Sequence, residues 1–324
     1  NMETPATSKI RNDKIANIQA FYIEAFDDLY GPDGKHAQEI YNAYVTEQPI
    51  DGTSLELDWL SNTPIFRKWV GKKVEQSARA NSMRFAVEPF EATLPVTLVD
   101  LNGDRGNVVG RRLAQWLSMD ANIKEKVTLE TLLSGTVNTT FDGVPFFSTA
   151  HPNGPLSGGV TTQANVSTSQ LSRTAFIAAR LAMRSFADEN YQPFGIEPDT
   201  LMVGSLNEDV ANQICVADLR IQSVPGTGAP DTGTAVAAAA VTNTAVAYGV
   251  KVVVNPRLVG DTQSKWFLMD TKKMFKPVVV GMLKSPYIKD NLSQFNVNAV
   301  ALFSIEMLAA IGYGFWGTAF MGNP

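Results

Sequence analysis

Segments of helical and strand periodicity alternate along this chain in no repeating order, and that irregularity is the strongest limit on its fold. A regular strand–helix alternation would build a doubly wound parallel sheet, and long runs of one type would build a bundle or a sandwich. Neither pattern occurs, so an α+β architecture is expected. Ile15, Ile18, Phe21, Tyr22, Phe26 and Leu29 recur at helical spacing, which reads as an N-terminal helical arm or as an ordinary core helix. A short helix is expected around 36–46, and Leu55, Leu57 and Trp59 then alternate as in a half-buried strand. Thr63-Pro64 suits a helix start.

Residues 70–98 read as a polar-tipped hairpin with β-type alternation toward its end, and Pro89 and Pro95 place that end at a sheet edge or on a projecting arm. Asn107 is a good N-cap for a helix that turns Val108, Val109, Leu113, Trp116 and Leu117 inward. A further helix with Ile123, Val127, Leu132 and Leu133 on one side stops at Gly135, and the pair makes a long spine. Residues 167–186 form the clearest helix, with Leu171, Ala175, Ala178, Ala182 and Phe186 near one face. "PDTLMVG" predicts a short buried strand, and Ser205 with Glu208 forms a capping box ahead of Val210, Ile214 and Cys215. Between 222 and 249, Gly, Pro, Ala and Thr dominate and charge nearly vanishes, which predicts a loop-rich insertion. Strands are expected again at "VKVVVNP", "KWFLMD" and "KPVVVGM".

Composition narrows the function. Charged residues are 18% against roughly 25% in an average soluble domain, a surface suited to burial against other copies. The 27 Lys+Arg against 32 Asp+Glu leave a net charge of −5, which argues against a phosphate-gripping basic patch. One cysteine, Cys215, allows neither an internal disulfide nor a cysteine-based zinc site, and it reads as a small buried hydrophobe. No long apolar run predicts a membrane span, so the chain is expected to work in solution in a reducing compartment. "DLNGDRG" at 100–106 opens like a calcium loop, but Arg105 and Arg111 stand where the turn glycine and the bidentate glutamate belong. No metal or cofactor is expected.

"FDGVPFFSTAHPNG", residues 141–154, concentrates Asp142, Ser148 and His151, and it invites a hydrolase reading. No G-x-S-x-G elbow exists to expose a serine, and His36 is far from His151 in sequence. Turn chemistry explains the letters better. Asp142-Gly143 is a turn dipeptide, Phe146 and Phe147 are a buried aromatic pair, and His151-Pro152-Asn153-Gly154 is a second turn whose histidine bonds loop backbone. The chain is therefore expected not to be an enzyme.

Six collinear motifs then carry a resemblance: "FRKWVG" (66–71), "FEATLPV" (90–96), "FDGVPFFSTAHPNG" (141–154), "QPFGIEPDTLMV" (192–203), "WFLMDTKKMFKPVVV" (266–280) and "GYGFWGTAF" (312–320). In these the chain resembles the Mu-like major head subunit family, the gpT type of phage major capsid proteins. Two features depart from the family pattern: Ala150 stands where relatives tend to carry an acidic residue, and the 222–249 stretch is longer than usual. The resemblance implies a Hong Kong-97-type capsid fold: an N-terminal arm over 1–50, an E-loop over 51–99, a peripheral domain with a spine helix over 100–190, an axial domain over 191–280, and a C-terminal strand returning to the peripheral domain over 281–324.

It also implies a major capsid protein of a tailed bacteriophage, assembled in the host cytoplasm as hexamers and pentamers of an icosahedral virion shell around double-stranded DNA. Scaffold, portal and decoration proteins are the implied partners, with no sequence-specific DNA contact and no membrane. An encapsulin-like or domesticated prophage shell with protein cargo is the alternative. On the E-loop, Lys72, Lys73, Arg79 and Arg84 face Glu75, Glu88 and Glu91 in composition, a mixture suited to pairing across subunits or simply to solvating the arm.

Overall fold

A computed structural model describes residues 35–62, 79–97, 108–120, 123–153, 161–188, 192–217, 219–224, 237–290 and 300–324, with Asp100 and a few positions between 16 and 27. Among these, the helices are α1 (Lys35–Tyr44), α2 (Val108–Asp120), α3 (Ile123–Leu133), α4 (Arg173–Ser185) and α5 (Glu208–Cys215). The strands run β1 (Val45–Pro49), β2 (Ser54–Asn62), β3 (Arg79–Ala86), β4 (Glu88–Thr97), β5 (His151–Asn153), β6 (Thr161–Gln163), β7 (Val166–Ser167) and β8 (Thr200–Val203). They continue as β9 (Leu219–Val224), β10 (Ala237–Thr242), β11 (Lys251–Val254), β12 (Trp266–Met269), β13 (Val278–Asp290), β14 (Val300–Tyr313) and β15 (Ala319–Gly322). The chain divides into two compact units, one of residues 1–57, 83–133 and 278–312, the other of 58–82, 134–277 and 313–324. The crossing between them falls at 133–134, so residues 134–190 group with 191–277, whereas the sequence reading changes domain at 190–191.

The first unit is built on a sheet of order β1-β13-β14-β4. β1 lies parallel to β13, with Val45 opposite Val278, and the β-branched run Val278, Val279 and Val280 is buried, as a strand covered on both faces requires. β4 ends the sheet, antiparallel to β14. That edge tolerates Pro89 and Pro95, whose missing N–H groups interrupt no inner ladder. α1 and α3 meet through side chains: the Tyr44 hydroxyl lies 3.0 Å from Thr128 Oγ1, Tyr41 donates to Glu47 at 2.7 Å, and Lys124 holds both oxygens of Glu47 at 3.0 and 3.1 Å. α3 buries Ile123, Glu125, Thr128, Leu129 and Leu132, while Val127 and Leu133 of the expected face stay half-exposed. In α2, Val109 and Leu113 are buried as expected, but Val108 is exposed. Asn107 and the 101–106 stretch lie outside the described residues, and Asp100 accepts a bond from Thr97 Oγ1 at 2.6 Å.

The expected 70–98 hairpin is corrected. β3 pairs with β2, while β4 joins β14, because Val87 continues the extended chain with no turn between the two strands. One uninterrupted β-type run thus serves two sheets. Leu55 and Leu57 of β2 are buried, and the Val87 amide bonds the Thr53 carbonyl at 2.9 Å. At the base of this ribbon the Phe85 ring lies across Gly312 so closely that an added Cβ would stand 2.3 Å from it.

The second unit holds a sheet of order β11-β8-β12-β15-β7. β8 runs parallel to β11 and antiparallel to β12, β12 runs antiparallel to β15, and β15 runs parallel to β7. Every residue of β8, β12 and β15 is buried. α4 is capped by Ser172, whose Oγ accepts the Ala175 amide at 3.2 Å. Its buried face is Phe176, Ala179 and Met183, with Leu171 and Phe186 buried at its ends as expected, and not the row through Ala175, Ala178 and Ala182, because the former is the face that α4 turns inward where it packs on β12 and β15. The Ser205 capping box does not form: residues 205–207 make a 3-10 turn, Glu208 becomes the first helical residue, and Asn207 Nδ2 donates to the Ser264 carbonyl at 3.0 Å. Cys215 is buried, and burial pushes its thiol up to about 11, as expected of a small hydrophobe. The ends of the 222–249 stretch are not loop: β9 and β10 pair antiparallel from Leu219 opposite Thr242 to Val224 opposite Ala237.

Candidate functional site

The chemistry-bearing residues of "FDGVPFFSTAHPNG" converge in the second unit. Gly143 takes φ 81° in the turn, its amide bonding the Thr140 carbonyl at 3.0 Å, which is why a glycine follows Asp142. Asp142 Oδ1 accepts from Thr140 Oγ1 at 2.7 Å and from the Val144 amide at 3.3 Å, so the carboxylate folds back on its own turn. Its Oδ2 lies 2.6 Å from His151 Nδ1. Phe146 and Phe147 are buried edge to face with centroids 4.8 Å apart, as expected.

His151 is fully buried. Its Nε2 lies 3.2 Å from both the Phe146 carbonyl and Asn165 Oδ1, which bears out a backbone partner, although the sequence does not announce Asn165. Asn165, also fully buried, donates to the carbonyls of Phe146 at 2.7 Å and Trp316 at 3.1 Å, and its Oδ1 accepts the Ser148 amide at 2.8 Å. Trp316 stacks on the imidazole at 4.0 Å and 6°. The expected turn at His151-Pro152-Asn153-Gly154 is corrected: His151–Asn153 is strand β5, paired with β6, and Pro152 sits opposite Thr162. Strand pairing holds His151 where a turn would have exposed it.

Burial draws the Asp142 carboxyl upward, yet hydrogen bonds from His151 and Thr140, the His151 charge and the Val144 amide outweigh it and hold the group below its ordinary value. An acid and a histidine are thus paired as in a hydrolytic triad, without the third member. The ring nitrogens of His151 turn to Asp142, Phe146 and Asn165, and the Ser148 hydroxyl accepts the Ala150 amide at 3.1 Å.

The arm candidates are less concentrated. Lys72, Lys73 and Glu75 lie outside the described residues; Arg79 opens β3. Arg84 bonds Ser54 Oγ at 2.9 Å and stands 3.5 Å from Glu56 on the β2–β3 ribbon, with Arg84 and Glu56 exposed and Ser54 half-buried. Glu88 and Glu91 are exposed on β4, past the point where the chain changes sheets. Glu91 sits opposite Glu306, a like-charge pair, and Lys289 compensates it with its ammonium 2.9 Å from Glu306. Lys289 and Tyr287, which donates to Glu306 at 2.5 Å, are members of this cluster that motif reading misses, because β13 and β14 bring them together only by pairing.

The structure overlays the solved structure from Microbacterium phage Oxtober96 with a TM-score of 0.54 at 10% identity, over 88% of this chain and 90% of that one. It overlays the bacteriophage JBD30 capsid at 0.50 and 14% identity, over 90% and 68%, and the capsid of a native GTA particle at 0.50 and 10%, over 90% and 97%. The fold is the α+β Hong Kong-97-type capsid fold. The sequence model of the Mu-like prophage major head subunit gpT matches residues 19–176, 159–228 and 241–323, and the chain belongs to that family. The major capsid protein of Escherichia phage Mu is 26% identical over 109 residues, a match spanning 34% of this chain and only 36% of that protein.

Proposed function

We propose that this chain is the major capsid subunit of a tailed bacteriophage or Mu-like prophage, and that its copies form the hexamers and pentamers of an icosahedral shell around double-stranded DNA. The observation that carries the reading is the family match running in order from residue 19 to 323 on a capsid fold. The unit of residues 1–57, 83–133 and 278–312 corresponds to the peripheral domain, with α2 and α3 as its spine, and the other to the axial domain. The β2–β3 ribbon is the E-loop, with Lys72, Lys73, Glu75, Arg79 and Arg84 as its contacts to a neighbour; Glu88 and Glu91 belong to its root. Scaffold, portal and decoration proteins of the same particle are its partners, and assembly takes place in the host cytoplasm. The Asp142–His151 pair holds the fold and does no catalysis, since Asp142, the Phe146 carbonyl and Asn165 take up both ring nitrogens.

Electron microscopy of the purified full-length chain tests this. Closed shells or capsomer rings are the expected outcome, and particles that stay monomeric across concentration, salt and crowding agents would overturn it.

A further inference from the structure

Each polar contact of the His151 ring is an acceptor. Asp142 Oδ2 faces Nδ1, and the Phe146 carbonyl and Asn165 Oδ1 face Nε2. The orientation of Asn165 is settled by its own partners, because its Nδ2 donates to two carbonyls while Oδ1 takes the Ser148 amide. Exchanging the amide atoms would set an N–H group against the Ser148 N–H and an oxygen against two carbonyls. Asp142 is equally constrained: Thr140 Oγ1 and the Val144 amide both donate to Oδ1, and these bonds help hold the carboxyl below its ordinary value, so Oδ2 faces Nδ1 as a bare acceptor. A neutral imidazole carries one N–H and one bare lone pair, and at this site the lone pair would point at an acceptor whichever nitrogen bore it. With no water-exposed edge, that repulsion has nowhere to go.

We propose that His151 is held as a doubly protonated imidazolium, ion-paired with Asp142 and stacked on Trp316, and that this pair is a proton-dependent latch for the second unit. The latch ties four segments together: the 140–146 turn, β5, the residue before β7, and the 3-10 turn Trp316–Thr318. The indole face stabilises a flat cation stacked at 4.0 Å more than it does a neutral ring. Of the groups facing the ring from these segments, namely Asp142, the Phe146 carbonyl, Asn165 and Trp316, Asp142 is the ionisable one. Asp142, whose carboxyl is held below its ordinary value in the folded unit, contributes stability above the unfolded carboxyl range and loses it as pH falls through its folded value, so the latch loosens on the acid side.

Nitrogen-15 NMR of histidine-labelled full-length protein, in solution or as sedimented shells, tests the assignment. The chain has two histidines, so a His36→Gln sample isolates the His151 signals. At neutral pH both ring nitrogens are expected to show protonated, pyrrole-type shifts, each coupled to a hydrogen. In Asp142→Asn, whose side-chain amide can donate, Nδ1 is expected to become a bare acceptor while Nε2 keeps its hydrogen, and the fall in melting temperature on acidification expected of the parent should flatten. One pyridine-type nitrogen in the parent at neutral pH would overturn the proposal, with or without a soluble Asp142→Asn protein.

Discussion

The Asp142–His151 knot and the β2–β3 ribbon both carry charge, and they use it in opposite ways. In the knot an acid, a histidine and an asparagine are buried with each described polar contact matched in donor and acceptor. On the ribbon Arg84 bonds Ser54 and Glu56 in the open, where such a pair is worth only ~0–1 kcal/mol. Among the described residues the ribbon has two strands and no third strand paired to it. Charge in the knot is matched within the unit, while charge on the ribbon is exposed and, on the proposed reading, meets a neighbour.

Substitutions can break that comparison, beginning with the largest expected loss of subunit stability. His151→Ala leaves the Asp142 carboxylate without its cation beneath Trp316, and removing one partner of a buried pair is expected to destabilise by about 3–5 kcal/mol. Urea unfolding of the unassembled subunit reads it; an unchanged midpoint would place the knot with the ribbon as dispensable charge. Gly312→Ala forces the Phe85 ring off β14 and is expected to cost about 1–3 kcal/mol by overpacking. A companion Phe85→Leu change should recover part of the loss by vacating the ring edge. Failure of that rescue in a paired thermal-melt series would mean that Gly312 matters for another reason. Arg79→Glu with Arg84→Glu is expected to leave the melting temperature within about a degree, since exposed substitutions usually stay within ~0.5 kcal/mol, yet to raise the concentration threshold for assembly at low salt. Light scattering across ionic strength would sharpen the contrast, and an identical threshold at every salt would reduce these arginines to solvation of the ribbon.

Much of the fold was legible because the relevant signals are local. Leu55 and Leu57 announced β2 by alternation, the valines of 278–280 announced a strand, and the helical period over 167–186 announced α4, which begins only at Arg173. The collinear motifs carried the family, and Asp142-Gly143 carried its turn. What eluded the local reading was partner choice. The alternation through 79–97 is the same whether the run pairs with itself or serves two sheets, and only β2 and β14, distant in sequence, settled it. An alanine row and a Phe–Ala–Met row in α4 both have helical period, and only packing against β12 and β15 decided which of them turned inward.

His151 shows the same division at the scale of one ring. By itself the sequence determined that a histidine beside Pro152, nine residues after an Asp-Gly turn, would be structural, since neither an elbow serine nor a metal-ligand spacing accompanies it. It could not specify the charge of that histidine. Asn165 and Trp316 reach the ring from 14 and 165 positions further along the chain, and their carbonyl, amide and indole faces meet it only after β5, β7 and β15 have paired. Protonation depends on which acceptors surround a group once water is excluded, and that environment exists only in the folded unit.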